Sequence, residues 1–298
     1  MQLDSILGAI GETPLVALQR VKPALGTLLL KLEGQNPGGS AKDRAVKGMV
    51  LAAERAGALK PGATLVEGTA GNTGIGLALV AAARGYKAVV AMPRNASADK
   101  QAVLRLLGAE LVLTTPDLPL DHPESYVAVA ERIAKERPGA HRLAQFENLA
   151  NPASHFDTTG PEIWRDCNSR VDVLVGCVGT GGTLSGTTRF LREKNPSLRL
   201  VLGQPAREPT VVEGITDEDP SEEFGGARVD ARHRVDDAES ISTAQRVARE
   251  EGLLIGLSAG TALAAALRDS SSWRDDTIAV VIAPDTARNY LRTLAPTP

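Results

Sequence analysis

One lysine stands where a loop is expected to become a helix, and an amine at that place can do covalent chemistry. Asn36-Pro37-Gly38-Gly39 predicts the loop, because Pro restricts φ and Gly tolerates positive φ. Ser40 follows as a helix N-cap, which puts Lys42 in the first turn. The positive end of the helix dipole disfavours an ammonium there, so the neutral amine, which attacks carbonyl groups, is favoured. Considered alone, a solvated lysine near a helix start is the simpler interpretation.

A second candidate for chemistry is the loop at residues 67–74, which reads Glu-Gly-Thr-Ala-Gly-Asn-Thr-Gly. It follows a predicted strand and opens a helix that is apolar on every side, and such a helix must be buried. Its N-terminus therefore points into the protein, where exposed N–H groups make a carboxylate or phosphate site. A tight turn without a ligand is the alternative. The side chains of Asn72, Thr69 and Thr73 favour a ligand.

Two further glycine loops also join a predicted strand to a predicted helix. Residues 179–183 read Gly-Thr-Gly-Gly-Thr, in which glycines let the backbone approach an anion and threonines add hydroxyl donors. The third glycine of a dinucleotide fingerprint would fall at Leu184, so a single phosphate monoester fits better than a pyrophosphate. In the third loop, residues 256–261, Ser258 is interpreted as a helix N-cap.

The elements that must position these loops alternate along the chain, which predicts an α/β fold with a mostly parallel sheet and a ligand at the carboxyl ends of its strands. Predicted strands are Leu28–Leu32, Thr64–Val66, Lys87–Met92, Glu110–Leu113, Val171–Cys177, Arg199–Gly203 and Thr277–Ala283. Predicted helices are Ala41–Ala56, Thr73–Arg84, Ala98–Leu107, Pro123–Glu136, Thr183–Glu193, Ala238–Glu251 and Thr261–Arg268. Pro152-Ala153 and a stop at Gly160-Pro161 predict a lobe boundary near residue 145. Residues 208–237 are expected to form a mobile surface excursion.

The composition narrows the classes of function. A net charge of −3 gives no basic surface for nucleic acid. No apolar run approaches the length needed to span a bilayer and no leader opens the chain, so we expect no membrane contact and a cytoplasmic location. The cysteines, Cys167 and Cys177, have no metal-ligand spacing and are expected to be buried thiols.

A lysine amine, a monophosphate cradle and a carboxylate cradle together suggest pyridoxal 5'-phosphate, a cofactor that binds as a lysine Schiff base. With these loops in view, the chain resembles the cysteine synthase family (O-acetylserine sulfhydrylases) of fold-type II pyridoxal-phosphate enzymes, and most of all its bacterial B-type members. The matching segments occur in the family's order over nearly the whole chain: residues 10–16, 36–44, 69–74, 145–148, 159–164 and 179–183.

The resemblance implies a role for each candidate site residue. Lys42 is the Schiff-base lysine and the catalytic base, Asn72 bonds the cofactor's 3-hydroxyl, and Ser258 faces the pyridine nitrogen. The phosphate is held by Gly179, Thr180, Gly181, Gly182 and Thr183, and the substrate carboxylate by Thr69, Gly71, Thr73 and Gln145. No metal is implied, and His155 is interpreted as structural.

The same resemblance implies two lobes of the tryptophan synthase β type, each a mostly parallel sheet flanked by helices. The smaller, mobile lobe would span residues 38–145 and carry the substrate-carboxylate loop. The larger lobe, residues 1–37 and 146–298, would contact the phosphate and the pyridine ring. The implied reaction joins O-acetyl-L-serine and sulfide to give L-cysteine and acetate, in cysteine biosynthesis by a homodimer. Thiosulfate is a possible second sulfur donor, giving S-sulfocysteine.

Some residues depart from the family's pattern, and they lie on the substrate side. Ala70 replaces a serine of the first loop, Ala259 replaces a serine of the third, and residues 287–291 differ from the usual Gly-acidic-Arg-Tyr-Leu run. We therefore expect secure cofactor binding with reduced turnover or an altered substrate. Cystathionine β-synthase, O-phosphoserine sulfhydrylase, a serine/threonine dehydratase and a weakly active homologue that acts as a binding or regulatory partner stay open.

Overall fold

The computed structural model describes residues 2–220 and 224–295, which form two compact units. The first unit contains the chain up to Ile10 together with Lys42–Asn151, and the second contains Gly11–Ala41 and the chain from Pro152 onward. The resemblance implies other limits, with residues 38–145 in the smaller lobe and the remaining residues in the larger one. Those limits stay a prediction.

Strands and helices alternate in both units. The strands are β1 Leu15–Ala17, β2 Thr27–Leu32, β3 Thr64–Gly68, β4 Lys87–Pro93, β5 Glu110–Thr114, β6 Ala140–Arg142, β7 Val173–Gly176, β8 Arg199–Pro205, β9 Ala231–Val235 and β10 Ile278–Ala283. The α-helices are α1 Lys42–Arg55, α2 Asn72–Arg84, α3 Ala98–Leu106, α4 Tyr126–Glu136, α5 Ala150–Asp157, α6 Thr159–Asp166, α7 Gly182–Lys194, α8 Asp237–Glu251, α9 Leu257–Asp269 and α10 Leu291–Leu294.

A four-stranded parallel sheet with the order β5-β4-β3-β6 forms the centre of the first unit. Strands β3 and β4 are buried almost throughout, as central strands of a sheet covered on both faces must be. One apolar cluster joins strand residues such as Leu65 and Val90 to α1 and α2. Another joins Val66 and Val89 to Val129 of α4, on alternate strand positions. The sheet therefore lies between helical layers.

The second unit has a six-stranded sheet with the order β1-β2-β10-β7-β8-β9, in which β1 alone is antiparallel to its neighbour. Alternate residues of its strands contribute to separate apolar clusters, one shared with α8 and α9 and the other with α6 and α7. Gly260 lets α9 lie close to α8, because a Cβ there would collide with the carbonyl oxygen of Ser240. This packing fixes the start of α9, where Ser258 lies.

The α/β fold with mostly parallel sheets is confirmed, and every predicted strand and helix is present with shifted ends. Strands β1, β6 and β9 were not predicted, because β1 and β6 have three residues each and β9 is polar with only its last residue buried. The predicted stop at Gly160-Pro161 is wrong. Pro161 lies in the first turn of α6, where its missing N–H has no intrahelical acceptor to lose.

The surface excursion expected at residues 208–237 is wrong where the chain forms strand β9, while residues 208–220 contain only one isolated β-bridge and residues 221–223 lie outside the described residues. Strand β9 pairs with β8 in parallel, and Val212, Ile215 and Phe224 are buried. Because the segment is mostly polar, its few buried apolar residues were not recognised in the sequence. Helix α1 also begins at Lys42 rather than Ala41, and Ser40 forms an isolated β-bridge with Asp285.

Candidate functional site

A buried polar network holds the loop that leads to Lys42. The amide of Asn36 donates to Glu33 Oε2 at 3.0 Å, and the hydroxyl of Thr13 donates to Glu33 Oε1 at 2.6 Å. The Asn36 side chain also accepts from the N–H of Gly11 at 2.9 Å. All three polar side chains are almost fully buried, so these bonds form in a low dielectric that strengthens them. The chain therefore enters α1 from a fixed backbone, and half-buried Lys42 is the helix's first residue.

The loop before α2 has the anion-site geometry expected from the sequence. Gly71 is the N-cap, Asn72 is the first helical residue, and no side chain caps the helix. The hydroxyl of Thr69 accepts from the N–H of Gly71 at 3.1 Å, which closes the loop on itself. Residues from Thr73 to Ala81 are buried without interruption, as predicted for a helix that is apolar on every side. The N–H groups at this helix start can therefore bind an anion.

Gln145 comes from a distant part of the sequence and meets this loop within the first unit. The Thr73 hydroxyl donates to Gln145 Oε1 at 2.6 Å, and Gln145 Nε2 lies 3.4 Å from the carbonyl oxygen of Gly68. The Asn151 amide donates to the Gln145 carbonyl at 2.8 Å. The structure thus brings together the predicted carboxylate-binding residues Thr69, Gly71, Thr73 and Gln145.

Glu67, beside these residues, was not assigned a role from the sequence. It is buried, with 2% of its surface exposed, and its Oε1 accepts from the N–H of Gly68 at 3.1 Å. Burial raises the pKa of its carboxyl to about 7, although the Arg142 cation opposes that shift. An acidic residue inside an apolar strand was the available signal, and only the folded chain shows what surrounds it.

The predicted phosphate loop lies in the second unit, between β7 and α7. Gly181 is the N-cap with φ of 85°, a conformation that favours glycine, and the N–H of Gly182 lies 3.4 Å from the Thr180 hydroxyl. A Cβ at Gly179 would collide with the carbonyl oxygen of Gly214, so this position also requires glycine. The loop leaves backbone N–H groups and neutral hydroxyls at the start of a thirteen-residue helix. These donors fit a phosphate monoester.

His155 connects the phosphate loop to the helices behind it. The imidazole is fully buried, with Nδ1 2.9 Å from the Thr159 hydroxyl and Nε2 3.2 Å from the Thr183 hydroxyl. Each ring nitrogen therefore has a hydroxyl partner, and the tautomer decides which hydroxyl donates. His155 orients Thr183, a more specific role than the structural one expected.

Ser258 lies at the start of α9, but the prediction that it caps the helix is wrong. Gly256 is the N-cap, and buried Ser258 is the second helical residue. The Cys177 thiol, at the end of β7, donates to the Ser258 carbonyl oxygen at 3.3 Å. Burial raises the pKa of Cys177 to about 12 and that of Cys167 to about 11, so both thiols stay protonated at neutral pH. Cys167 is the buried thiol that the sequence predicts, whereas Cys177 is only partly buried.

The donors of each unit suit a different part of pyridoxal phosphate. The second unit offers a glycine-walled cradle for a phosphate and a hydroxyl at Ser258, and the first unit offers the Lys42 amine and Asn72. Within the described residues, no group of His, Cys, Asp and Glu side chains could hold a metal ion. Among the helices of residues 2–220 and 224–295, none is long and apolar enough to cross a bilayer.

Comparisons with known proteins agree with this geometry. The family model described as pyridoxal-phosphate dependent enzyme matches residues 6–285. The cystathionine beta-synthase of Rattus norvegicus is 42% identical over 97% of this chain and 54% of its own length. That of Dictyostelium discoideum is 39% identical over 97% of this chain and 61% of its own length. The chain thus spans a little over half the length of the curated relatives it matches.

Solved structures match over nearly their whole length. O-ureido-L-serine synthase superposes with a TM-score of 0.90 at 37% identity, covering 98% of this chain and 95% of that one. A hydrogen sulfide-producing enzyme from Fusobacterium nucleatum gives 0.89 at 32% identity, covering 97% of this chain and 100% of that one. With the family model matching most of the chain, the protein belongs to the pyridoxal-phosphate-dependent enzymes of fold type II.

Proposed function

We propose that this enzyme catalyses β-replacement on O-acetyl-L-serine, with sulfide or thiosulfate as the nucleophile. The bond from Cβ to the acetyl ester oxygen breaks, a bond from Cβ to sulfur forms, and acetate leaves with the bonding electron pair. The products are L-cysteine or S-sulfocysteine. The structural neighbours include a synthase named for an O-substituted serine and an enzyme named for producing hydrogen sulfide, which supports this chemistry.

The pairing of Thr73 with Gln145 carries the proposal. The hydroxyl and the amide lie 2.6 Å apart beside the N-terminus of α2, and both side chains are almost fully buried. Uncharged donors at a helix N-terminus suit a carboxylate, because the helix dipole stabilises the anion. We assign this place to the α-carboxylate of an amino-acid substrate, held by Thr69, Gly71, Thr73 and Gln145.

The remaining residues supply cofactor binding and proton transfer. We assign the phosphate to residues 179–183, the 3-hydroxyl to Asn72 and the pyridine nitrogen to Ser258. Lys42 would hold the cofactor covalently, and its amine, when free, would take the Cα proton of the substrate. The cofactor, when bound, supplies the electron sink that makes the Cα proton acidic.

Ala70 stands where the resemblance places a serine, and its methyl is exposed. The loop therefore lacks one hydroxyl donor to the substrate's α-carboxylate. Losing one donor to a bound carboxylate costs about 1–3 kcal/mol, so we expect turnover to be reduced and not abolished.

A second candidate is the condensation of serine with homocysteine to cystathionine. It is favoured by the 42% identity to the rat cystathionine beta-synthase over 97% of this chain. Its first half-reaction needs the same carboxylate site and the same lysine. The candidates differ in the leaving group and in the thiol. We also propose a homodimer, which light scattering of the purified protein tests.

The test is a matrix of purified enzyme against O-acetylserine, O-phosphoserine and serine, each with sulfide, thiosulfate or homocysteine, read as thiol or thioether product by mass spectrometry. We expect the highest kcat/KM with O-acetylserine and a sulfur anion. Ala70→Ser should raise kcat/KM for O-acetylserine, and no rise would show that the missing hydroxyl does not limit turnover. Lys42→Ala should remove both the covalent cofactor absorbance and the product.

The outcomes separate the candidates. Cystathionine formation that exceeds cysteine formation at equal substrate concentration favours the second candidate. Coloured holoenzyme that gives no product with any pair refutes both and supports the weakly active binding homologue. Colourless protein after incubation with pyridoxal phosphate would refute the assignment of the cofactor residues.

A further inference from the structure

Lys100 is a buried cation on the inner face of helix α3. The buried residues of this helix, all of which the structure describes, are Lys100 and Leu104, four positions apart on one face. Lys100 has 4% of its surface exposed, whereas a lysine usually keeps its ammonium in water and buries only the stem. A leucine or a methionine would cover this face without burying a charge. The choice of lysine therefore indicates a role for the charge.

The ammonium lies against the loop that we assign to the substrate's carboxylate. A Cβ built on Gly71 would lie 3.7 Å from Lys100 Nζ, and one built on Gly74 would lie 3.4 Å from Leu104 Cδ2. The buried face of α3 thus meets the start of α2 at successive positions, with the amine at the loop and the apolar side chain one turn further on. In the described part of the first unit, no other atom beyond the residues adjoining Gly71 comes within 4 Å of that Cβ position. The loop therefore has room for a small group beside the ammonium.

This placement brings a positive charge to the positive end of a helix. Gly71 is the N-cap of α2, and the first N–H groups of a helix carry the positive end of its dipole. The ammonium and the dipole repel each other, whereas an anion bound at the loop is attracted by both. Thr73 and Gln145, which pair beside this helix start, are uncharged donors. Lys100 supplies the full charge that those side chains lack.

We propose that Lys100 is a further substrate-binding residue, whose ammonium attracts the α-carboxylate of the amino acid held by the loop at Thr69–Thr73. This inference rests on the proposed function, because it assumes that the loop binds that carboxylate. It makes the site selective for substrates whose α-carboxyl group is ionised.

The selectivity follows from what each donor can distinguish. A hydroxyl, an amide N–H or a backbone N–H can donate to the oxygen of a carboxylate and also to the oxygen of a neutral amide. An ammonium near the ligand favours the charged group over the neutral one, since a charge-assisted contact is about twice as strong as a neutral one. Lys100 therefore determines the preference for a carboxylate over a neutral group of the same shape.

The test compares two ligands of the holoenzyme that differ in this charge. L-serine carries a carboxylate and L-serinamide carries a neutral amide in its place, and binding of each is followed by the change in the cofactor's visible spectrum. In Lys100→Met, which keeps an unbranched apolar stem, we expect the Kd of L-serine to rise about tenfold to a hundredfold. The Kd of L-serinamide should not rise.

Three further variants control for charge, position and folding. Lys100→Arg keeps a cation at this place and should recover part of the affinity for L-serine that Lys100→Met loses. Arg105→Gln removes an exposed cation of the same helix and should leave the binding of both ligands unchanged. Should Lys100→Met not accumulate as folded protein, the same pair of ligands is measured on Lys100→Gln.

Three outcomes overturn the inference. Equal weakening of L-serine and L-serinamide means that Lys100 supports the fold or the cofactor, and unchanged binding of both means that its charge does not act on the ligand. Either result leaves the proposed function intact. If the wild-type enzyme binds L-serine no better than L-serinamide, the loop does not select a carboxylate, and the site assignment of the proposed function fails as well.

Discussion

Replacing Glu67 by glutamine should stabilise the protein, and more so as the pH rises. Burial raises the pKa of this carboxyl from 4.5 to about 7 in the folded protein. Below the pKa of the unfolded state the Glu67 carboxyl is protonated in both the folded and the unfolded protein, and its burial costs little free energy. As the pH rises through about 7, the folded state must ionise a buried group while the unfolded state has already done so in water, and the stability present at low pH is lost. Glutamine does not titrate, so the variant does not lose this stability as the pH rises.

The magnitude follows from the shift. At about 1.4 kcal/mol per pKa unit, the stability advantage of Glu67→Gln should grow by about 2 to 3 kcal/mol between about pH 5 and about pH 8. Urea unfolding of both holoenzymes, followed by circular dichroism across that range, measures the difference. The exposed Glu136→Gln serves as the matched control and should show no such growth.

The result that would refute this reasoning is an advantage that stays flat or shrinks as the pH rises. It would mean that Glu67 is ionised at low cost in the folded state, with Arg142 and the surrounding N–H groups outweighing burial.

Two other substitutions test the second unit. Lys31 is fully buried with its Nζ 2.7 Å from Glu162, so Lys31→Met should lower the free energy of unfolding by about 3 to 5 kcal/mol in urea titrations, since it leaves a buried carboxylate without its cation. A loss below 1 kcal/mol would show that this ion pair contributes little. His155→Phe should raise the Kd for pyridoxal phosphate several-fold, measured by fluorescence titration of the apoenzyme, because the Thr183 hydroxyl loses its partner at 3.2 Å. Unchanged cofactor affinity would contradict an orienting role for His155.

The residues of the glycine loops could be predicted because their residue types are uncommon at other places in a fold. Glycine and threonine at a strand-to-helix junction have few structural reasons to occur together, so residues 179–183 and Thr69–Thr73 were identified from the sequence. The position of Lys42 at a helix start followed from the turn before it. The structure supports the predictions for these segments, with Gly181 at φ of 85° as the N-cap of α7 and Lys42 as the first residue of α1. The N-cap predicted at Ser258 is the exception, because Gly256 caps α9.

Roles that depend on distant residues could not be predicted in this way. Glu67 is one acidic residue in an apolar strand, and Arg142, whose cation acts on its carboxyl, comes near it only when β6 pairs with β3. His155 likewise reaches Thr183 across 28 residues. Strands β6 and β9 carry polar side chains, so no hydrophobic alternation predicted them. Long-range polar contacts leave no periodic pattern in a sequence.

The placement of the ionisable groups suggests how one fold can change substrate without losing its cofactor. The loop proposed for the phosphate is built from backbone N–H groups and hydroxyls, with His155 bonded to the Thr183 hydroxyl, so its shape depends on the backbone that the glycines allow. The loop proposed for the carboxylate instead depends on the side chains of Thr73 and Gln145. Ala70 lies in this loop and not in the phosphate loop. Under the proposed function we therefore expect it to change the handling of the substrate, while phosphate binding by residues 179–183 stays the same.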